Sequence, residues 1–202
     1  MAGSLHQATA APTPSSDLAS IGQQCGQWYS GPASNFPAYS SWLDFTTLFN
    51  LNKNNMLSTG DTGEDVGRIW NAINSAAASI GVEERVILSI ILQESNGDVG
   101  VPCTTAPDGS GSCGLMQADG SPGFQGQHGL SQDDINNMVN AGTQHYKSNL
   151  EQQGNGDDAQ TIYEALRLYN SGSVDTSNLS NGLGATDSYV SDIANRLTGV
   201  VC

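Results

Sequence analysis

The stretch Val86-Ile-Leu-Ser-Ile-Ile-Leu92 has one polar residue in seven and is apolar on nearly every side. A segment with no solvent-facing stripe must run through the middle of a core. Its length suits a buried strand as well as a helix, but its neighbours read as helices. Upstream, Thr62 stands where an N-cap would, and Glu64 and Asp65 are acids favoured in a first turn by the helix macrodipole. Val66, Ile69, Trp70, Ile73, Ala77 and Ile80 then recur at three/four spacing, and Gly81 is a natural stop. The apolar run therefore reads as a second helix, Glu83 to about Ser95. Ser131 and Asp134 form a capping-box pattern opening a third helix to Leu150, with Ile135, Met138, Val139 and Tyr146 as its apolar residues. Ile162, Ala165, Leu166 and Tyr169 define a fourth; Tyr189, Val190, Ile193, Ala194 and Leu197 define a last one ending near Gly199. No strand pattern and no internal repeat is visible. The expected fold is mainly α.

The 202 residues suit one domain. Residues 1–20 read as a linker or expression remnant, and they lack the apolar centre of a secretory signal, so any signal is expected to have been removed or replaced. Residues 21–202 are expected to form the domain. Its first part, 21–62, is a turn-rich N-terminal extension anchored by Trp28, Tyr29, Trp42, Phe45 and Phe49. No apolar run approaches the ~20 residues that span a bilayer.

Six Lys and Arg face 20 Asp and Glu, a formal net charge of −14. That balance argues against nucleic-acid backbones and anionic membranes as partners. With only 13% charged residues, the chain is no polyanionic disordered segment either. The four cysteines include no Cys-x-x-Cys, and His6, His128 and His145 are scattered, so disulfides are favoured over zinc. Cys103 and Cys113 could close a short loop and Cys25 and Cys202 tie the two ends, although three pairings are formally open. Disulfides imply an oxidising, extracellular setting.

Three places could carry chemistry. Glu94 follows the apolar run at the end of a helix that must be buried, where desolvation raises a carboxyl pKa as a general acid requires. The bland alternative is that Gln93 and Glu94 mark the helix surfacing into solvent. Gly114-Leu-Met-Gln117 follows Cys113; its Leu and Met could be core, and its Gly permits close backbone approach. Tyr169 and Asn170 offer hydrogen bonds beside an apolar face, or simply end a helix before Gly172.

In that order and spacing, Glu94-Ser95, Gly114-Leu-Met-Gln117 and Tyr169-Asn170 resemble the lysozyme-like domain of goose-type lysozymes and soluble lytic transglycosylases. The motif core covers Ile80 to Gly172, nearly half the chain. The part before Gly60 and the ending Tyr189–Gly199 are more similar to secreted fungal muramidases carrying this domain. The resemblance implies a single lysozyme-like helical domain with a substrate groove. It implies a secreted enzyme, without cofactor or metal, that cleaves the β-1,4 bond between N-acetylmuramic acid and N-acetylglucosamine in bacterial cell-wall peptidoglycan. Glu94 would be the general acid, and Asp108 and Asp119 would hold the water on the opposite sugar face, giving inversion. Ser95 would steady Glu94, Tyr169 would bond near it, and Gln117 and Asn170 would line the groove. A lytic transglycosylase, a chitinase and a catalytically silent sugar-binding protein are the alternatives. A monomer is expected. One feature fits awkwardly: a −14 protein is repelled at low salt by largely anionic wall polymers.

Overall fold

A computed structural model describes residues 25–105 and 111–202. Among these residues six α-helices form in chain order: α1 Phe45–Ser58, α2 Gly63–Ile80, α3 Glu84–Ser95, α4 Gln132–Gln152, α5 Ala159–Ser171 and α6 Tyr189–Leu197. Their ends sit where local chemistry places them. Thr62 and Asp65 exchange both bonds of a capping box at α2, and Ser131 and Asp134 do so at α4. Gly81 and Gly172 close α2 and α5 in the left-handed conformation. The apolar run is helical and central: Val86, Ile87, Leu88, Ile90 and Ile91 are fully buried, and Ser89 with them. α2 packs on α4, α4 on α5, and α3 on α1, α2 and α6. No helix among the described residues is long and apolar enough to cross a membrane.

Two expectations fail. The stretch 21–62 is not turn-rich throughout, because α1 occupies fourteen residues of it, capped by Asp44 accepting from the Thr47 N–H. Its buried face is Leu48, Phe49, Asn52 and Met56, so an asparagine interrupts the apolar period that would have betrayed the helix. Asn52 is tolerated there because its amide donates to the Leu48 carbonyl at 2.9 Å. Of the expected anchors, Trp28 is exposed, whereas Trp42 is buried and donates to the Tyr163 hydroxyl at 3.1 Å. Nor is the chain free of strands. β1 Thr104–Thr105, β2 Gly111–Cys113 and β3 Ala118–Asp119 make an antiparallel sheet in that order. Two or three residues are too few to show a period of two.

Both disulfides form as Cys25–Cys202 and Cys103–Cys113. The first is the end of a longer seam. The Cys25, Gln27 and Tyr29 N–H groups donate to Asp192, Asn195 and Ser191 on α6 at 2.9–3.0 Å. These polar residues are buried in an otherwise apolar region because they satisfy a neighbouring backbone. The second disulfide joins the start of β1 to the end of β2 and so fixes the sheet beside the end of α3.

Candidate active site

α3 ends abruptly: Asn96 takes the left-handed conformation, and its N–H closes on the Leu92 carbonyl. Glu94 is thereby held in the last helical turn, half-buried. Burial pushes its carboxyl from an ordinary 4.5 up to about 7, and a hydrogen bond from Tyr189 pulls partly the other way. The carbonyl end of a helix, where an anion is unfavourable, acts in the same direction as burial. The Tyr189 hydroxyl donates to Glu94 Oε1 at 2.6 Å from the first residue of α6. In the sequence Tyr189 reads as apolar packing, since a phenol in a helical stripe looks the same whether or not its hydroxyl has a partner.

The turn after Cys113 is built against α3 from behind. Ser95 is buried; its hydroxyl lies 2.8 Å from the Leu115 carbonyl and 2.9 Å from that of Ile91, and accepts the Gly97 N–H. It pins the turn to the helix and has no bond to Glu94 itself. At Gly114, with φ +70°, a Cβ would stand 2.7 Å from Ser121 Oγ and 2.8 Å from the Pro122 carbonyl, so only glycine fits. Leu115 and Met116 are fully buried, while Gln117 takes φ +44°, uncommon for a side-chain-bearing residue. Its amide compensates by donating to the Gly114 and Pro102 carbonyls and accepting from Thr104. The backbone strain here, of order 1–3 kcal/mol, is stored where the side chain faces a cleft.

α5 supplies the opposite wall. The Tyr169 hydroxyl donates to the Met116 carbonyl at 2.6 Å, which joins α5 to the turn. The Asn170 amide oxygen accepts from the Arg167 guanidinium and from the Thr186 N–H. Asn170 itself lines the cleft. Arg167, fully buried, is further held by the Leu179 and Thr186 carbonyls.

These elements enclose a cleft of about 330 Å³ lined by Glu94, Thr104, Ser112, Gln117, Tyr169 and Asn170. Four expected site residues therefore converge, from three separated parts of the chain. The strand hydroxyls of Thr104 and Ser112 join them, with no signal in the sequence to announce it. Asp119 is exposed on β3, directly paired with Ser112. Paired residues of an antiparallel ladder project to the same face, so Asp119 shares the face of a cleft-lining residue without itself lining the cleft. Asp108 lies outside the described residues. Among those described, Glu94 is the one carboxyl lining the cleft.

Asp61, Asp65 and His128 bring potential ligand atoms within 4.8 Å of one another. Asp65 already accepts from the Thr62, Gly129 and Leu130 N–H groups and the Thr62 hydroxyl. Asp61 accepts from the Val99 N–H and meets His128 at 3.1 Å. The cluster ties the start of α2 to the loops after α3 and before α4, and an ion would have to displace those donors.

Comparison with known protein families finds none that matches this chain, and comparison with curated proteins finds no relative.

Proposed function

We propose that the protein is a glycoside hydrolase with a lysozyme-like helical domain, acting on bacterial cell-wall peptidoglycan outside the cell. The observation that carries this reading is Glu94: a sheltered carboxyl, raised to about 7, at the edge of a cleft furnished with amide and hydroxyl groups. A group with that pKa keeps its proton at mildly acidic pH and gives it up readily, as general acid catalysis requires. The two disulfides and the absence of a membrane-spanning helix among the described residues fit an extracellular setting.

In this mechanism Glu94 protonates the glycosidic oxygen as the bond from C1 breaks. The positive charge builds on C1 and the ring oxygen, and a water attacks C1 from the far face. Asp119, with Asp108 as the second candidate, takes a proton from that water, and the anomeric configuration inverts. Gln117 and the Asn170 NH2 hold the sugar hydroxyl and acetamido groups, and Tyr189 holds the carboxyl of Glu94 on its line of approach.

One observation favours a second reading. A single carboxyl lining the cleft among the described residues suffices for a lytic transglycosylase, in which Glu94 is acid and then base while a sugar hydroxyl replaces the water. Purified wall digested by the wild type and by Glu94→Gln, followed by mass analysis, tests both. Reducing ends report hydrolysis, and ends lighter by one water report internal attack. Wall left uncut by the wild type, and bound equally by the variant, would leave a sugar-binding protein.

A further inference from the structure

A second groove shares no residue with the cleft. It runs between α1 and α2, has a volume of about 780 Å³, and falls within the size range of binding pockets. Its floor includes Phe49 and the half-buried Trp70, which stacks on Phe45 with ring centroids 4.5 Å apart. The exposed amides of Asn50 and Asn71 stand on its two walls.

Two features single this groove out. The first is charge. The chain has six basic side chains: Arg167 and Arg196 are buried, Arg85 is bound to Glu83, and Lys147 to Asn155. The remaining two, Lys53 and Arg68, both line the groove. Lys53 makes no ion pair among the described residues and lies 5.9 Å from the Phe49 ring centroid. Arg68 is partly buried, stands 4.0 Å from the buried Asp65 carboxylate, and pairs at 2.8 Å with Glu64, which also lines the groove; Glu64 is 78% exposed, so that pair is worth little and can open to a better anion. The second feature is Gly63 and Gly67, one helical turn apart on α2. A Cβ at either would meet nothing within 4 Å. Gly63 opens the helix, but Gly67 lies inside it, where glycine costs up to about 1 kcal/mol against alanine and no neighbour demands it. What the missing side chains provide is an unobstructed channel beside the two cations.

We propose that the groove between α1 and α2 is a second binding site for peptidoglycan, holding a glycan strand by its carboxylates at Lys53 and Arg68 and by its sugars against the Phe49–Trp70 surface. The site rests on the substrate class proposed above and deepens it. It eases the conflict between a −14 protein and an anionic wall by placing two of the six basic side chains at one docking place.

The test is adsorption to insoluble purified peptidoglycan, measured by depletion of protein from solution, for the wild type, Lys53→Glu, Gly67→Gln and Lys147→Glu. Lys53→Glu and Gly67→Gln are each expected to weaken adsorption about tenfold. They should slow cutting of intact wall while leaving turnover of a short soluble muropeptide unchanged. Lys147→Glu makes the same charge change elsewhere and should do neither. Gly67→Gln should melt no lower than the wild type, because it improves the helix. Unchanged adsorption overturns the site; so does equal weakening by Lys147→Glu, or a wild-type dimer in sedimentation that Lys53→Glu dissolves. If nothing cuts wall or muropeptide yet adsorption still depends on Lys53 and Gly67, the cleft reading fails and the groove stands.

Discussion

Replacing Glu94 by Gln is expected to stabilise the protein, and by an amount that depends on pH. Burial raises the Glu94 carboxyl to about 7 from an ordinary 4.5. With the folded value above the unfolded one, the folded protein keeps a proton that the unfolded chain loses between those two pH values. The stability this contributes is complete below about pH 4.5 and is lost as pH rises through 7. At about 1.4 kcal/mol per pH unit, that interval corresponds to about 3 kcal/mol above pH 8. Because Glu94 is half-buried rather than sealed, about 2–3 kcal/mol is the working expectation. Gln has nearly the same shape, carries no charge, and can still accept the Tyr189 hydrogen. Urea unfolding should therefore find the two proteins alike at pH 4 and the variant about 2–3 kcal/mol more stable at pH 8, roughly 5–10 °C in Tm. Asp61, raised by burial to about 6, titrates in both proteins and cancels from the difference. A gap that does not change with pH, or a variant less stable at pH 8, would refute the account of a sheltered acid.

Tyr189→Phe removes the donor that holds Glu94 down, so the alkaline limb of the pH–rate profile should move upward while kcat falls; a limb that stays in place contradicts the assigned bond. Gly114→Ala forces a Cβ against Ser121, the Pro122 carbonyl and Met138 at φ +70°, and should cost about 3 kcal/mol in urea unfolding. Replacing Cys103 and Cys113 together by Ser removes a short closed loop, worth about 3 kcal/mol in chain entropy. Wall cleavage should then be lost at temperatures where circular dichroism still reports folded helices, and simultaneous loss of both would show that the bridge serves the whole fold.

How much of this was legible in the sequence follows from the range of each interaction. The Thr62–Asp65 and Ser131–Asp134 caps and the glycine stops at 81 and 172 act over three or four residues, so the ends of α2, α4 and α5 could be read directly. The apolar run could only be core. α1 escaped because Asn52 occupies a buried position by bonding its own helix, and the sheet escaped because its strands are shorter than the period that would reveal them. At the site, Glu94 stands out at the end of the apolar run and Tyr169 and Asn170 as hydrogen-bonding groups beside an apolar face, while Gln117 enters only through the family resemblance; the fold brings those four to one cleft.

By itself, then, the sequence determined where α2 and α4 start and where α2 and α5 stop, which segment is innermost, and that a carboxyl stands at that segment's end. Only the tertiary structure decided that a tyrosine 95 residues further on would meet this carboxyl, that two strand residues would line the same cleft, and that its proton would be held to about 7. The physical reason is that caps and periods are local. Desolvation and hydrogen bonding at a cleft are instead set by every element that surrounds the group, and those elements come from the whole length of the chain.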